Sequence, residues 1–307
     1  MSGAALAGGY AADRVLGDPQ RFHPVAGFGR VAGTVERSVY APSRLRGVLF
    51  AGALVAAAAL ATELAARALG RGAVLVAVTW ASLGGRSLTR EAHGIAGHLE
   101  RGDLEAARLA LPALVGRDPA ALDEAGVSRA VVESVAENTG DAVVGALVWG
   151  AVAGPAGVAA YRAANTLDAM VGHRSDRYRE FGWAAARLDD LMNWPAARGG
   201  AALAAVCAPV VGGSTASAWS VLRRDGAAHP SPNAGRMEAA FAGALGVRLG
   251  GPLSYGGRRE DRPRLGDGAP PTAADIRRAT RLSAAVGAAA LATAVLAASR
   301  LRRRGSR

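Results

Sequence analysis

The chain contains no lysine: all 36 basic residues among its 307 are arginine. A P-loop needs its lysine on the phosphates, and a pyridoxal-phosphate enzyme needs one for the Schiff base, so both chemistries are excluded. Cysteine is nearly absent as well. Cys207 stands alone in an apolar run, so no internal disulfide or thiolate metal cluster exists, and the residue reads as a small core hydrophobe. Aromatic residues make up 5% of the chain and are scattered, too few for a base-stacking platform. The net charge of +11 is spread over every polar segment, which argues for arginines flanking a membrane and against nucleic acid as partner. Residues 2–12 are apolar but have no basic stretch before them and are too short for a full crossing, so they read as a stub of a membrane helix. No internal repeat, Gly-x-Ser-x-Gly or His-Glu-x-x-His is present, and His93 and His98 lack the i, i+4 spacing of a zinc pair.

What the chain has in abundance is apolar length. Hydrophobic residues are 50% of the total, and they fall in five runs: 47–69, 73–90, 142–161, 199–221 and 282–299. The expected fold is all-α, a polytopic integral membrane protein of about five membrane helices. Between 86 and 130 charges recur every three or four residues opposite leucine and alanine, the pattern of amphipathic helices outside the bilayer, with Asp103 capping one of them. Residues 1–307 read as a single membrane-embedded domain. Residues 258–278, polar and rich in glycine and proline, read as a flexible connector, and 300–307 as a basic tail.

Polar chemistry gathers around the uncharged stretch Ala142–Ala160. Glu133, Glu137 and Asp141 drift only about 40° per step on an ideal helix, so they share a face, with Asn138 beside them. Arg162, Asn165 and Asp168 form a second set, and Arg187, Asp189, Asp190 and Asn193 a third. A bare carboxylate at mid-bilayer costs about 2.5–3.5 kcal/mol on insertion scales, so these groups must meet water, a cation or a charged ligand. Two loops add titratable groups. Asp18-Pro19 and His23-Pro24 impose extended or turn geometry on the residue before each proline. His229-Pro-Ser231-Pro-Asn233-Ala-Gly235 is stiffened by two prolines and runs into a helix, a natural place for an anion. On spacing alone the first loop is better read as a plain connector, while the second reads equally as connector or ligand loop.

These blocks, in this order, resemble the adenosylcobinamide-phosphate synthase family (CbiB/CobD) of late cobalamin biosynthesis. The matching segments are Gly17-Asp-Pro with His23-Pro-Val; Leu114-Val-Gly-Arg-Asp118; Val132-Glu-Ser-Val-Ala-Glu-Asn138 with Asp141; Tyr161-Arg-Ala-Ala-Asn-Thr-Leu-Asp168 with Met170-Val-Gly172; Ala186-Arg-Leu-Asp-Asp190 with Asn193; and His229 to Gly235 with Glu238. The resemblance implies a multi-pass enzyme of the bacterial inner membrane that joins a propionate carboxylate of adenosylcobyric acid to aminopropanol or its phosphate. ATP is then the co-substrate and Mg²⁺ the cofactor. The corrinoid, the amine and the lipid bilayer are the partners, together with other late-pathway membrane enzymes.

Under that reading the catalytic candidates are Glu133, Glu137, Asn138, Asp141, Asp168 and His229. Substrate would be held by His23, Arg162, Asn165, Arg187, Ser231 and Asn233. The metal candidates are Glu133, Glu137, Asp141, Asp189 and Asp190. Two rivals share the composition: a transporter with carboxylates in broken helices, and a regulatory membrane protein of the same fold.

Overall fold

A computed structural model describes residues 3–18, 23–116, 118–173, 175–255 and 258–305. Pro19 and Arg117 of the motifs above, and residues 306–307 of the basic tail, lie outside these. The chain is almost wholly helical and divides into two compact units: Met1–Gly84 with Asp141–Pro195 and Ala290–Arg307, and Gly85–Gly140 with Ala196–Ala289. Among the described residues four helical runs are long and apolar enough to cross a bilayer: Arg44–Leu69, Glu124–Gly172, Trp183–Val211 and Ala273–Arg300. This is an all-α polytopic membrane protein.

The helices of the first unit are α1 (Gly3–Leu16), α2 (Pro24–Val39), α3 (Arg44–Leu69), α4 (Arg71–Leu83), α8 (Gly145–Leu167) and α9 (Tyr178–Phe181), with the start of α10 (Trp183–Cys207) and the end of α13 (Ala273–Gly305). Small residues set the close approaches. A Cβ on Gly9 would stand 2.6 Å from Thr79 Cβ of α4, and one on Gly47 would stand 2.0 Å from the Phe181 carbonyl oxygen. Such stripes let helix backbones pack tightly where lipid removes the hydrophobic drive between helices. On the other side of α3, Leu45, Leu49, Leu60, Leu64 and Leu69 are 54–73% exposed, an apolar face that a bilayer covers.

Three expected spans are redrawn. The 73–90 run breaks at Gly84, which takes φ 64° and separates the 13-residue α4 from the amphipathic α5 (Gly85–Glu100). At 1.5 Å per residue α4 is about 20 Å long, short of a ~30 Å hydrocarbon core. The 199–221 run breaks at a 3₁₀ turn, Ala208–Val211, and at Gly212 (φ 75°). The crossing therefore lies earlier, at Trp183–Val211. The 142–161 run doubles back on itself. Gly154 adopts φ 68°, ψ −148°, conformational space closed to other residues, and Pro155 follows with no N–H to give. The two arms then face each other: a Cβ on Gly157 would lie 2.6 Å from the Trp149 carbonyl oxygen, and one on Gly150 would lie 3.1 Å from Val158 Cγ2. The second candidate run, 49 residues long, therefore contains a helical hairpin with its tip at Gly154.

The second unit holds α5, α6 (Leu104–Ala110), α7 (Glu124–Asn138), the end of α10, α11 (Thr215–Asp225), α12 (Ala234–Leu245), strands β1 (Leu249–Tyr255) and β2 (Arg258–Leu265), and the start of α13. Asp103 caps α6 as expected, accepting from the Ala106 amide at 3.0 Å. Helix α5 buries Ala92, Ile95, Ala96 and Leu99 and turns its charges outward. Helix α7 departs from the amphipathic reading of 86–130, being buried along most of its length. Every residue of α12 is buried except Arg236. Gly243 lets α12 meet α11, since a Cβ there would stand 2.7 Å from Ala218 Cα.

Residues 258–278 are not a plain connector. β2 pairs antiparallel with β1 from Leu249↔Leu265 to Tyr255↔Arg258, with a bulge between Leu249 and Gly251, and α13 begins at Ala273. Arg278 on α13 donates to the Val211 and Leu245 carbonyls, closing two chain segments at their C-terminal ends. The glycine and proline content that marks this stretch as loop is spent on the bulge and on the turn before α13.

Candidate functional site

The helical hairpin of the first unit gathers one polar network. Opposing arms bring the Asp141 carbonyl beside the hydroxyl of Tyr161. That hydroxyl also meets Asn193 Oδ1 of α10, and its single proton serves one of the two acceptors. Asn193 Nδ2 donates to both oxygens of Asp189 at 3.0 Å, and Asn165 Nδ2 donates to Asp189 Oδ1 at 3.3 Å. Arg162 Nη1 donates to Asn165 Oδ1 at 3.0 Å. The order is Arg162, Asn165, Asp189, Asn193, Tyr161, Asp141. Gly145 makes room for it, because a Cβ there would stand 2.0 Å from the Tyr161 hydroxyl oxygen. Gly172 does the same for Asp168, whose Oδ1 would lie 1.8 Å from its Cβ.

Both acidic motifs end in π-turns, Thr139–Val144 and Asp168–Gly172. A π-turn adds a residue to the helical repeat and is common where a helix serves a site. It also breaks the arithmetic that aligned Glu133, Glu137 and Asp141, since the 100° step holds only as far as Asn138. Among the described residues no group of three or more His, Cys, Asp or Glu side chains comes together to hold a metal. Glu133 is buried and accepts from the Gly250 amide at 2.8 Å, next to Arg129, which donates to the Gly250 and Pro252 carbonyls. It fastens the β-bulge to α7. Glu137 is exposed, and Asn138 turns back on its own helix to the Ser134 carbonyl. Arg187, also exposed, reaches Asp190 at 3.4 Å.

Asp18 was not among the candidates, yet its Oδ1 is buried with no hydrogen-bond partner among the described residues. It lies with Asp141 and Asp189 within electrostatic reach of Arg162. The signal in the sequence was Asp18-Pro19 itself, which on spacing alone favours a plain connector. Arg162 is the one charged residue lining a cavity of about 230 Å³, otherwise walled by groups such as Phe28, Ala58, Thr62, Val78 and Thr166. Its Nε is buried without a hydrogen-bond partner among the described residues.

The histidines are held as structural elements. His23 caps α2, its Nδ1 accepting from the Val25 amide at 3.2 Å. In the second unit His229 Nδ1 accepts from the Ser231 amide at 3.0 Å, and its Nε2 lies 3.2 Å from Arg262 Nη1. Ser231, not Asn233, caps α12: its Oγ accepts from the Asn233 and Ala234 amides at 3.3 and 3.1 Å. Asn233 Oδ1 instead accepts from Arg198 Nη1 at 3.2 Å. Gly235 lets the loop close on the helix, since a Cβ there would meet His229 Cβ at 2.2 Å.

The model of the family described as CobD/Cbib protein matches residues 6–283. A relative from Mycobacterium tuberculosis H37Rv, called cobalamin biosynthesis protein CobD, is 54% identical over 287 residues, 92% of each chain. Relatives of the same name from Chromobacterium violaceum and Rhodobacter capsulatus are 46% and 44% identical, covering 88% of both chains in the first case, and 85% of this chain and 84% of the relative in the second. No solved structure matches.

Proposed function

We propose that this chain, which belongs to the CobD/Cbib family and acts in cobalamin biosynthesis, is the inner-membrane ligase that forms the amide between adenosylcobyric acid and aminopropanol or its phosphate, at the expense of ATP. The observation that carries the reading is the Arg162–Asn165–Asp189–Asn193–Tyr161–Asp141 network at the open end of the helical hairpin. A purely structural membrane core has no use for buried carboxylates and guanidinium joined through amides.

A carboxylate does not condense with an amine unaided. The carboxylate oxygen takes the terminal phosphoryl group of ATP and ADP leaves. The amine then attacks the acyl phosphate, phosphate leaves, and the amine's proton passes to a base. Arg162, with one donor on Asn165 and a place in the wall of an apolar cavity, suits a short aliphatic chain ending in a carboxylate. Asp141 suits the ammonium of the incoming amine and is the acceptor for its proton. Tyr161, Asn165 and Asn193 are positioning residues: the two amides hold the Asp189 carboxyl, and Asn165 links it to Arg162. ATP and Mg²⁺ are part of this proposal. Magnesium is commonly held by one or two carboxylates, with phosphate oxygens and water completing its shell, so a three-carboxylate cage is not required. The orphaned Oδ1 of Asp18 would supply one such ligand, and the ion would neutralise phosphate charge.

The test is purified protein in detergent with adenosylcobyric acid, ATP, Mg²⁺ and each amine in turn. The expected product is a corrinoid heavier by the amine minus water, with phosphate released in step. Folded protein that makes no such product with either amine refutes the ligase and leaves a non-catalytic membrane protein.

A further inference from the structure

Two membrane spans begin side by side in the first unit. Arg44 opens α3, and its guanidinium lies 5.4 Å from the ring centre of Trp183, the residue that opens the run Trp183–Val211. Tryptophan collects at the headgroup level of a bilayer, so this contact marks one membrane boundary. Just inside it α3 presents a bare apolar stripe. Leu45, Leu49, Gly52 and Ala56 recur at steps of four, three and four residues and share one face. Leu45 and Leu49 are 67% and 61% exposed, Ala56 is exposed, and a Cβ added to Gly52 would meet nothing within 4 Å. From Leu45 to Ala56 the helix rises about 16 Å, close to the depth of one leaflet of a ~30 Å hydrocarbon core.

Charge sits at the boundary end of that stripe: after Arg46 no charged residue follows until Glu63. Arg44 and Arg46 fall about 100° to either side of Leu45 and so bracket the stripe. Helical side chains tilt toward the N-terminus, so both lean out of the hydrocarbon toward the headgroups. Arg44 meets Glu180 at 2.8 Å with its side chain still 60% exposed. Arg46 is exposed and has no ion pair or hydrogen bond among the described residues, and the first turn of α3 holds no acidic residue. A ligand that complements the whole patch carries a negative headgroup on an acyl chain of leaflet length. Zwitterionic lipid would cover the stripe but bring no net charge to the arginines, whereas guanidiniums hold phosphate bidentately. We propose that the entry of α3 binds one anionic phospholipid, its phosphate between Arg44 and Arg46 and an acyl chain along Leu45, Leu49, Gly52 and Ala56. The site shares no residue with the hairpin network and is independent of the ligase reading.

The experiment measures equilibrium binding of phosphatidylglycerol to the full chain in detergent, with phosphatidylcholine of the same acyl chains as the neutral probe. The native protein is expected to bind phosphatidylglycerol at least about fivefold more tightly, with added salt narrowing the gap. Arg46→Gln is expected to weaken phosphatidylglycerol about fivefold and to leave phosphatidylcholine within about twofold, with Arg46→Lys recovering most of the loss. Arg101→Gln removes an exposed arginine from the turn between α5 and α6 and should bind phosphatidylglycerol as the native protein does. Equal affinity of the native protein for the two lipids overturns the site, as does native phosphatidylglycerol binding in a folded Arg46→Gln protein. An equal loss in Arg101→Gln would trace binding to net charge and overturns it too. Competition by glycerol phosphate, the headgroup without its chains, would make this a site for free phosphate and sink the lipid. A second copy seated on the stripe would appear as a dimer in detergent that takes up neither lipid, which also refutes the proposal. Arg44→Gln repeats the test should Arg46→Gln not fold.

Discussion

The hairpin network of the first unit and the His229 loop of the second hold their polar groups in different ways. Around Tyr161 side chains from separate segments are joined through neutral amides: Arg162 donates to Asn165, and Asn165 and Asn193 both donate into Asp189. Around His229 the loop is fastened largely to itself: the Ser231 amide donates to His229 Nδ1, and Ser231 Oγ accepts from the Asn233 and Ala234 amides. A satisfied network rigidifies what it joins. The first region therefore reads as a preorganised site with one orphaned carboxylate oxygen at Asp18, the second as a stiffened helix entry.

The strongest way to break the contrast is Gly145→Ala. Its methyl would occupy the place of the Tyr161 hydroxyl. Overpacking costs about 1–3 kcal/mol by itself, and the displaced hydroxyl strands Asn193 besides. Product formation should fall at least about a hundredfold and the thermal midpoint should drop. Adding Tyr161→Phe should recover little stability, because ring carbons Cζ and Cε1 still lie 2.1 and 2.5 Å from the methyl, which a two-by-two comparison of melting and turnover would measure.

Asp189→Asn comes next. It replaces the acceptor of two amide donors with a group that offers an N–H₂ of its own, so a buried donor is left facing donors. Turnover should decline roughly tenfold to a hundredfold, with about 1–3 kcal/mol of stability lost in chemical unfolding. A variant with native turnover would show that the network is not needed for the reaction.

Glu133→Gln sharpens the comparison from outside both regions. If Glu133 only fastens the Gly250 amide, the neutral acceptor keeps the bond at a cost of about 1 kcal/mol, and the Mg²⁺ dependence of turnover is unchanged. A rise in the Mg²⁺ requirement would return Glu133 to the metal candidates.

The smallest effect is a control on α5. Burial, reinforced by the positive charge of Arg277, pushes the His93 imidazole below its usual range. The folded state thus binds fewer protons than the unfolded one, and stability from this group is fully present above the ordinary histidine pKa of about 6.5 and lost as pH falls below it. Melting midpoints should decline gently from neutral pH toward pH 5, and His93→Gln should flatten that slope while leaving product formation at neutral pH unchanged.

Much of this was open to a reader of the chain. The apolar runs, the cap at Asp103 and the ordered motif blocks are local properties of neighbouring residues. So was the exclusion of lysine chemistry. The errors have a common form. Helical periodicity placed Asp141 on the face of Glu133 because a π-turn leaves no mark in composition. The 142–161 run read as one span because one glycine at positive φ and one proline are compatible with a kink as well as with a reversal.

By itself, then, the sequence determined that the molecule is helical, membrane-resident, confined to arginine for its fixed cations and built on the CobD/Cbib motifs. Those properties depend on residue type and short spacing. Only the tertiary structure decided that Glu133 serves Gly250, 117 positions away, that Asn165 and Asn193 converge on Asp189, and that His229 confronts Arg262. Each is a pairing between distant segments. Such pairings are set by where the backbone reverses and which glycines let helices touch, and that outcome belongs to packing of the whole chain.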